Sequence, residues 1–135
     1  MVCIYCLNKL KTTNSRHLKR VNGVWRRKKC LNCQATFTTV ELNDYEQSLL
    51  VNSKNKTSPF SRDTLFVSIL NSLKHRKNSI IEASELTNTV INKMQHSLVN
   101  ASIDTDTLRK ISFNTLEQFD FVASIQYKAF YMDNK

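Results

Sequence analysis

Two different rhythms of apolar and polar positions run along this chain. Up to Val40 aliphatic residues are too sparse to build a core, whereas from Phe60 onward they recur at the three-and-four spacing of helices. In the first stretch Asn22-Gly23 is the strongest hairpin signal, and Gly23 is the only glycine of 135 residues. The flanking strands are expected at His17–Val21 and Val24–Lys29, preceded by a polar loop over Lys9–Ser15. Ala35-Thr36-Phe37-Thr38-Thr39-Val40 is β-branched and aromatic and predicts a third strand. Asn43–Glu46 reads as a boundary, giving domains at residues 1–45 and 46–135.

Beyond it, Ser48–Asn52 predicts one short strand, followed by polar Ser53–Ser58 and the lone Pro59. Leu65, Phe66, Ile69, Leu70 and Leu73 form a helical stripe for which Ser61 is the expected N-cap. Ser79-Ile80-Ile81-Glu82 matches a capping box, and Leu86, Val90, Met94 and Leu98 continue on one face. Asp106 is the expected cap of a third helix bearing Leu108, Ile111, Leu116 and Phe119. Val122, Ile125 and Ala129 mark the apolar face of a fourth, with Phe130 and Tyr131 near its end. The pattern predicts an α+β chain: a small three-stranded unit, then a mostly α-helical domain.

The cysteines change this picture most. Cys3-x2-Cys6 and Cys30-x2-Cys33 are the only four in the chain, in two pairs separated by twenty-three residues. Two residues between cysteines let one turn aim both sulfurs at a single point, and two such knuckles make a tetrahedral S4 site suited to Zn2+. The Asn22-Gly23 hairpin would bring the knuckles into register. Four protein ligands close the coordination sphere, so the expected cofactor is one structural Zn2+ per chain. A segment of about 40 residues with so little aliphatic content depends on such a metal to fold.

Charge then separates the two halves. Residues 1–45 carry Lys9, Lys11, Arg16, Lys19, Arg20, Arg26, Arg27, Lys28 and Lys29 against Glu41 and Asp44, 9 − 2 = +7; the remainder carries eleven against nine, +2. A Zn(Cys)4 centre contributes −2, leaving about +5 on the first domain. Such asymmetry points to a polyanion, nucleic acid rather than membrane. No apolar run approaches a membrane span and no signal-peptide core precedes the first cysteine, so a cytoplasmic protein without a membrane partner is expected. His17, His75 and His96 each stand without acidic or cysteine neighbours at ligand spacing. No nucleophile–base set, carboxylate pair or Gly-rich phosphate loop can be assembled, and no enzymatic activity is expected.

Taken together, Cys3-x2-Cys6, Ser15-Arg16, the run Arg26-Arg27-Lys28-Lys29 into Cys30-x2-Cys33, and Phe37-Thr38-Thr39-Val40-Glu41 resemble the N-terminal zinc ribbon of NrdR-type bacterial repressors. Those proteins have a tyrosine where Val40 stands. Further on, Pro59-Phe60 resembles the end of the family's nucleotide-loop motif. Phe119-Asp120-Phe121-Val122-Ala123 is similar to its Asp-Glu-Val-Ala-Tyr helix start, with Tyr127 and Tyr131 on the aromatic positions that follow. The resemblance implies a repressor of ribonucleotide reductase genes whose ATP-cone domain senses ATP and dATP and sets oligomeric state. Where the family's cone has Lys, Arg, Gly, Glu and a second Lys, this chain has Asn52, Ser53, Asn55, Ser58 and Thr64. A triphosphate carries three to four negative charges and needs fixed cations. These replacements predict a degenerate ATP-cone-like domain, kept for homo-oligomer assembly rather than for nucleotide sensing.

The resulting expectation is a transcriptional regulator that contacts duplex DNA through Arg16, Lys19, Arg20, Arg26, Arg27, Lys28 and Lys29. Arg26 and Arg27 are the candidates for reading guanine and the lysines for gripping phosphate. Phe121, Ile125, Phe130 and Tyr131 are candidates for pairing of protomers. A zinc-ribbon adaptor that binds RNA or a protein partner is the alternative, because bare ribbons serve all of these roles.

Overall fold

The structure is a computed structural model that describes residues 1–133. The chain folds as two compact units, one over Met1–Asn43 and one beginning at Asp44.

The first unit is an antiparallel sheet of β1 (Leu10–Leu18), β2 (Gly23–Cys30) and β3 (Thr36–Glu41), with β2 in the middle. Strand β1 starts well before the expected position, since most of Lys9–Ser15 is strand rather than loop. Its polar side chains hid it. What fixes it is pairing with β2, in register from Leu10 opposite Cys30 to Leu18 opposite Gly23. An irregularity between Thr12 and Asn14 leaves Thr13 out of the ladder, and its Oγ1 donates instead to the Arg27 carbonyl at 3.2 Å. Lys19–Val21, expected as strand, forms a single 3-10 turn closed by Asn22 at φ 46°, ψ 55°. Asn22 therefore supplies the left-handed residue, and Gly23 opens β2. Gly23 is required for space: a Cβ there would lie 2.6 Å from Leu42 Cδ2 and 2.7 Å from the Glu41 carbonyl oxygen.

The second unit runs α1 (Tyr45–Ser48), β4 (Leu50–Ser53), β5 (Lys56–Pro59), α2 (Arg62–Ser72), α3 (Ser79–Met94), β6 (Ser102–Asp104), α4 (Thr105–Phe119) and α5 (Phe121–Tyr131). Strand β4 lies between β5, antiparallel, and β6, parallel. The single expected strand is thus a hairpin, with the polar stretch folding back as β5 and Pro59 on its outer edge. Strand β6, only three residues long, carried no periodic signal. It is fixed by its parallel partner and by the turn at Asn100 and Ala101, both left-handed at φ 49° and 56°.

Apolar positions of α2 to α5, with Leu49, Phe60 and Ile103, form one core around Ile69, Leu73, Val90, Met94 and Leu116. Small hydroxyl residues sit where helices approach closely. Ser72, Thr87, Ser112, Thr115 and Ser124 are buried, and each donates to a carbonyl three or four residues earlier. Ser61 caps α2 as expected, accepting from the Thr64 amide. The other two caps shift. Asp104 caps α4, accepting from the amides of Asp106 and Thr107. Ser79 is already helical behind Asn78, and Glu82 does not close a capping box because it pairs with Arg76.

Helix α5 inverts its expected face. Val122 and Ile125 are exposed, whereas Ala123, Ser124 and Tyr127 are buried. The small residues let α5 lie close to its neighbours, and packing outweighs the larger side chains' hydrophobicity. The turn into α5 is held by Asp120, which accepts from the Ala123 amide at 3.1 Å and pairs with Arg76 at 2.8 Å and His75 at 3.1 Å. His75, solitary in sequence, thus gains its partner from the fold. The amide of Ala123 first, then His75 and Arg76, hold the Asp120 carboxyl down at about 2. A carboxyl depressed in the folded state adds stability above its unfolded pKa near 4 and loses it as pH falls towards 2. Asp120→Ala should therefore cost the second unit at least about 1 kcal/mol at pH 7. Urea unfolding followed at 222 nm should show that difference shrinking between pH 4 and pH 2.

Candidate metal centre and basic face

The two cysteine pairs meet at one end of the first sheet because β1 and β2 lead into them. Pairing of Leu10 with Cys30, and donation from the Leu31 amide to the Lys9 carbonyl at 3.2 Å, draw the segments after Cys6 and around Cys30 together. The knuckles are built alike. The Cys3 amide donates to the Asn8 carbonyl and the Cys30 amide to the Ala35 carbonyl, both at 2.9 Å. Within each loop an amide points at the first sulfur: Tyr5 at Cys3 (3.5 Å) and Asn32 at Cys30 (3.4 Å). The residue after each second cysteine is left-handed, Leu7 at φ 59° and Gln34 at φ 61°.

All four sulfurs lie within 4.8 Å of one another. Cys3 and Cys33 are 3.7 Å apart and Cys6 and Cys30 3.4 Å apart. A tetrahedron with Zn–S bonds of about 2.3 Å has edges of about 3.8 Å, so the donor set fits one Zn2+. The arrangement makes little sense without a cation. The Asn8 amide holds the Cys6 thiol down to about 6, whereas Cys33, despite the Ala35 amide, is pushed up to about 12 by desolvation and the neighbouring sulfurs. Four thiolates side by side require a divalent charge at their centre. Cys3 and Cys30 are fully buried, Cys6 partly and Cys33 exposed.

Strand register sorts the basic residues between the two faces of the sheet. Arg16 stands opposite Trp25, Asn14 opposite Arg27 and Lys11 opposite Lys29, placing Lys11, Arg16, Trp25, Arg27 and Lys29 on one face. All four of these cations are exposed, and the Arg16 guanidinium lies over the Trp25 ring at 4.7 Å from its centroid. Arg26 and Lys28 occupy the opposite face and are half-buried. Arg26 pairs there with Glu41 at 3.3 Å, and Lys28 Nζ donates to Thr12 Oγ1 at 3.3 Å. Lys19 and Arg20 lie on the exposed 3-10 turn. The cations around Trp25 point in sequence to packing under an arginine stem or over the knuckles, and the structure selects Arg16; the engagement of Arg26 by Glu41 crosses between strands and was not legible.

In the second unit the five replaced positions divide between the sheet and two adjoining cavities that share Thr105 and Arg109. Asn52 is taken up by the sheet: its amide donates to Ser102 Oγ at 3.1 Å, its Oδ1 accepts from Thr57, and its carbonyl accepts from Thr105. Ser53 and Asn55 line a cavity of about 300 Å3 at the hairpin tip, and Ser58 and Thr64 line another of about 290 Å3. Asn55 is not among the residues with left-handed backbone.

A four-cysteine ribbon of three strands, fitted for a closed zinc site and joined to a helical second unit, defines the class: a small zinc-ribbon protein. Residues 1–41 match the family described as the N-terminal domain of NrdR-like transcriptional repressors. Over nearly its whole length the chain is similar to proteins named transcriptional repressor NrdR. It is 30% identical over 129 residues to the one from Streptococcus sanguinis, covering 95% of this chain and 81% of that protein. It is 28% identical over 136 residues to the Ehrlichia canis protein, covering 100% and 88%, and 28% identical over 135 residues to that of Solibacter usitatus, covering 98% and 87%. The chain belongs to the NrdR family.

The metal centre gives a direct expectation. Purified protein should contain one zinc per chain by elemental analysis. Serine at any of Cys3, Cys6, Cys30 or Cys33 should abolish it and unfold the ribbon, leaving helical ellipticity largely intact. Full zinc occupancy in a serine variant, or disulfides in freshly purified protein, would contradict the assignment.

Proposed function

We propose that this protein is a transcriptional regulator, repressor-like as its relatives are named, that grips duplex DNA with the zinc ribbon. The observation that carries the reading is the exposed row of Lys11, Arg16, Arg27 and Lys29 on one face of the sheet. In this reading that row lies along a groove. Arg16, held over Trp25, and Arg27 reach base edges, because a guanidinium fork can meet guanine O6 and N7 together. Lys11, Lys29, Lys19 and Arg20 meet phosphates. Arg26 and Lys28, on the other face, contact the flanking backbone at most. The Arg26–Glu41 pair is a surface pair of about 0–1 kcal/mol and does not prevent this. With about four phosphates neutralised per ribbon, log K falls against log salt with a slope of about −3.6 per subunit.

Gel retardation at fixed salt checks the reading. Arg16→Ala with Arg27→Ala should keep its zinc and lose sequence-specific retardation, whereas Lys11→Ala with Lys29→Ala should weaken binding to all duplexes alike. Arg26→Ala should have the smaller effect. Wild-type retardation by the arginine double variant would remove the ribbon as reader and favour the adaptor reading, with RNA or a protein on this face.

One ribbon offers few contacts, and two on one site raise avidity. We propose that the second unit, an ATP-cone-like domain kept for assembly rather than nucleotide sensing, pairs protomers through the outer face of α5. Phe121, Val122 and Ile125 are 65%, 51% and 53% exposed there, beside Phe130. Tyr131 belongs instead to the edge of the core, its hydroxyl accepting from Asn71 at 3.3 Å. Light scattering at tens of micromolar should find a dimer or larger species for wild type and a monomer for Ile125→Glu. A monomeric wild type would refute the pairing.

A further inference from the structure

The irregularity in β1 decides which of its side chains join the basic face. On its near side Lys11 stands opposite Lys29 and Thr12 opposite Lys28; beyond it Asn14 stands opposite Arg27 and Arg16 opposite Trp25. Unbroken alternation would put Asn14 and Arg16 on the other face, with Arg26 and Lys28. Because Thr13 drops out of the ladder and is tied to the Arg27 carbonyl at 3.2 Å, both turn to the exposed basic face. The bulge therefore carries a neutral amide into the row of cations along with Arg16.

Asn14 is exposed, between Lys11 and Arg16 along its strand and directly across from Arg27. Its Oδ1 accepts from the Ser15 amide at 2.7 Å, which fixes the orientation of the side chain. That oxygen keeps a second lone pair, and Nδ2 has no partner among the described residues. A donor and an acceptor thus stand side by side, whereas the lysines and arginines around them can only donate. In the major groove adenine sets the N6 donor beside the N7 acceptor, while guanine sets two acceptors there. We propose that Asn14 reads an adenine, donating from Nδ2 to N7 and accepting at Oδ1 from the N6 amino group. The inference rests on the reading of the ribbon as a grip on duplex DNA, and adds a second base to the guanines met by arginine. Side chains directly opposed across a ladder lie about 5 Å apart, and same-face neighbours along a strand about 7 Å. Successive base pairs are about 3.4 Å apart. The adenine therefore lies within about two base pairs of a guanine read by Arg27 or Arg16.

The test uses the full zinc-loaded chain and the duplex it prefers, selected from a randomised library at fixed salt. One adenine of that site, close to a required guanine, should lose about 5- to 150-fold in affinity when its base pair is changed. Placing 7-deazaadenine there, which lacks the N7 acceptor, should weaken wild type about fivefold or more. Asn14→Ala should bind adenine and 7-deazaadenine equally at that position while still requiring the guanine, and Asn14→Gln, which keeps the amide, should recover part of the preference. Because Asn14 is exposed, zinc content should not change. If Asn14→Ala loses its zinc, the response of wild type to 7-deazaadenine and the glutamine variant decide. Retardation that depends on Arg16 and Arg27 but ignores 7-deazaadenine at every adenine, or an adenine preference that survives Asn14→Ala, would overturn this inference and leave the ribbon as reader. A wild-type chain that selects no sequence from the library would overturn the duplex reading and this inference with it.

Discussion

Four sulfurs drawn to one point are the constraint on which the first unit depends. Its sheet is short, the unit carries nine cations, six of them on the strands, and few apolar side chains are buried; among its residues only Cys3 and Cys30 are fully buried. Burial of apolar surface therefore cannot offset the entropy of ordering some 40 residues, and the free energy of metal binding takes that place. The knuckles are shaped accordingly. Backbone amides point at the first sulfur of each pair, and Leu7 and Gln34 accept left-handed backbone to bring the second into range. For a leucine that conformation costs about 1 kcal/mol, a small term beside a structural zinc site.

Metal and charge are linked through the same strands. The hydrogen-bonded register that delivers Cys30 opposite Leu10 also fixes which cations share a face. A slip by one residue would exchange Arg27 and Lys29 for Arg26 and Lys28. The zinc thus anchors the pattern of charge as well as the fold, which ties metal content and the proposed DNA contact together. The second unit is organised differently. Its core is aliphatic, its helix interfaces are thinned by serine and threonine, and Asp120 joins the loop before α3 to the start of α5.

Features that rest on local spacing or period were legible along the chain. The C-x2-C pairs located the metal site, the three-and-four stripes located α2 and α3, Ser61 marked a helix start, and counting charges placed the excess on the first domain. Each depends on residues within a turn or two of one another. Tertiary structure alone decided the rest, because it rests on pairings between distant segments. Strand β1 is polar and exists through its ladder to β2, and the three residues of β6 are a strand only beside β4. The buried face of α5 follows from how closely Ala123 and Ser124 let it approach, not from where its larger side chains fall. The division of the basic residues, with Arg16 over Trp25 and Arg26 held by Glu41, needed the register of three strands. So did the placing of the five replaced cone positions, which lie within thirteen residues along the chain and which the hairpin distributes between a strand and two adjoining cavities.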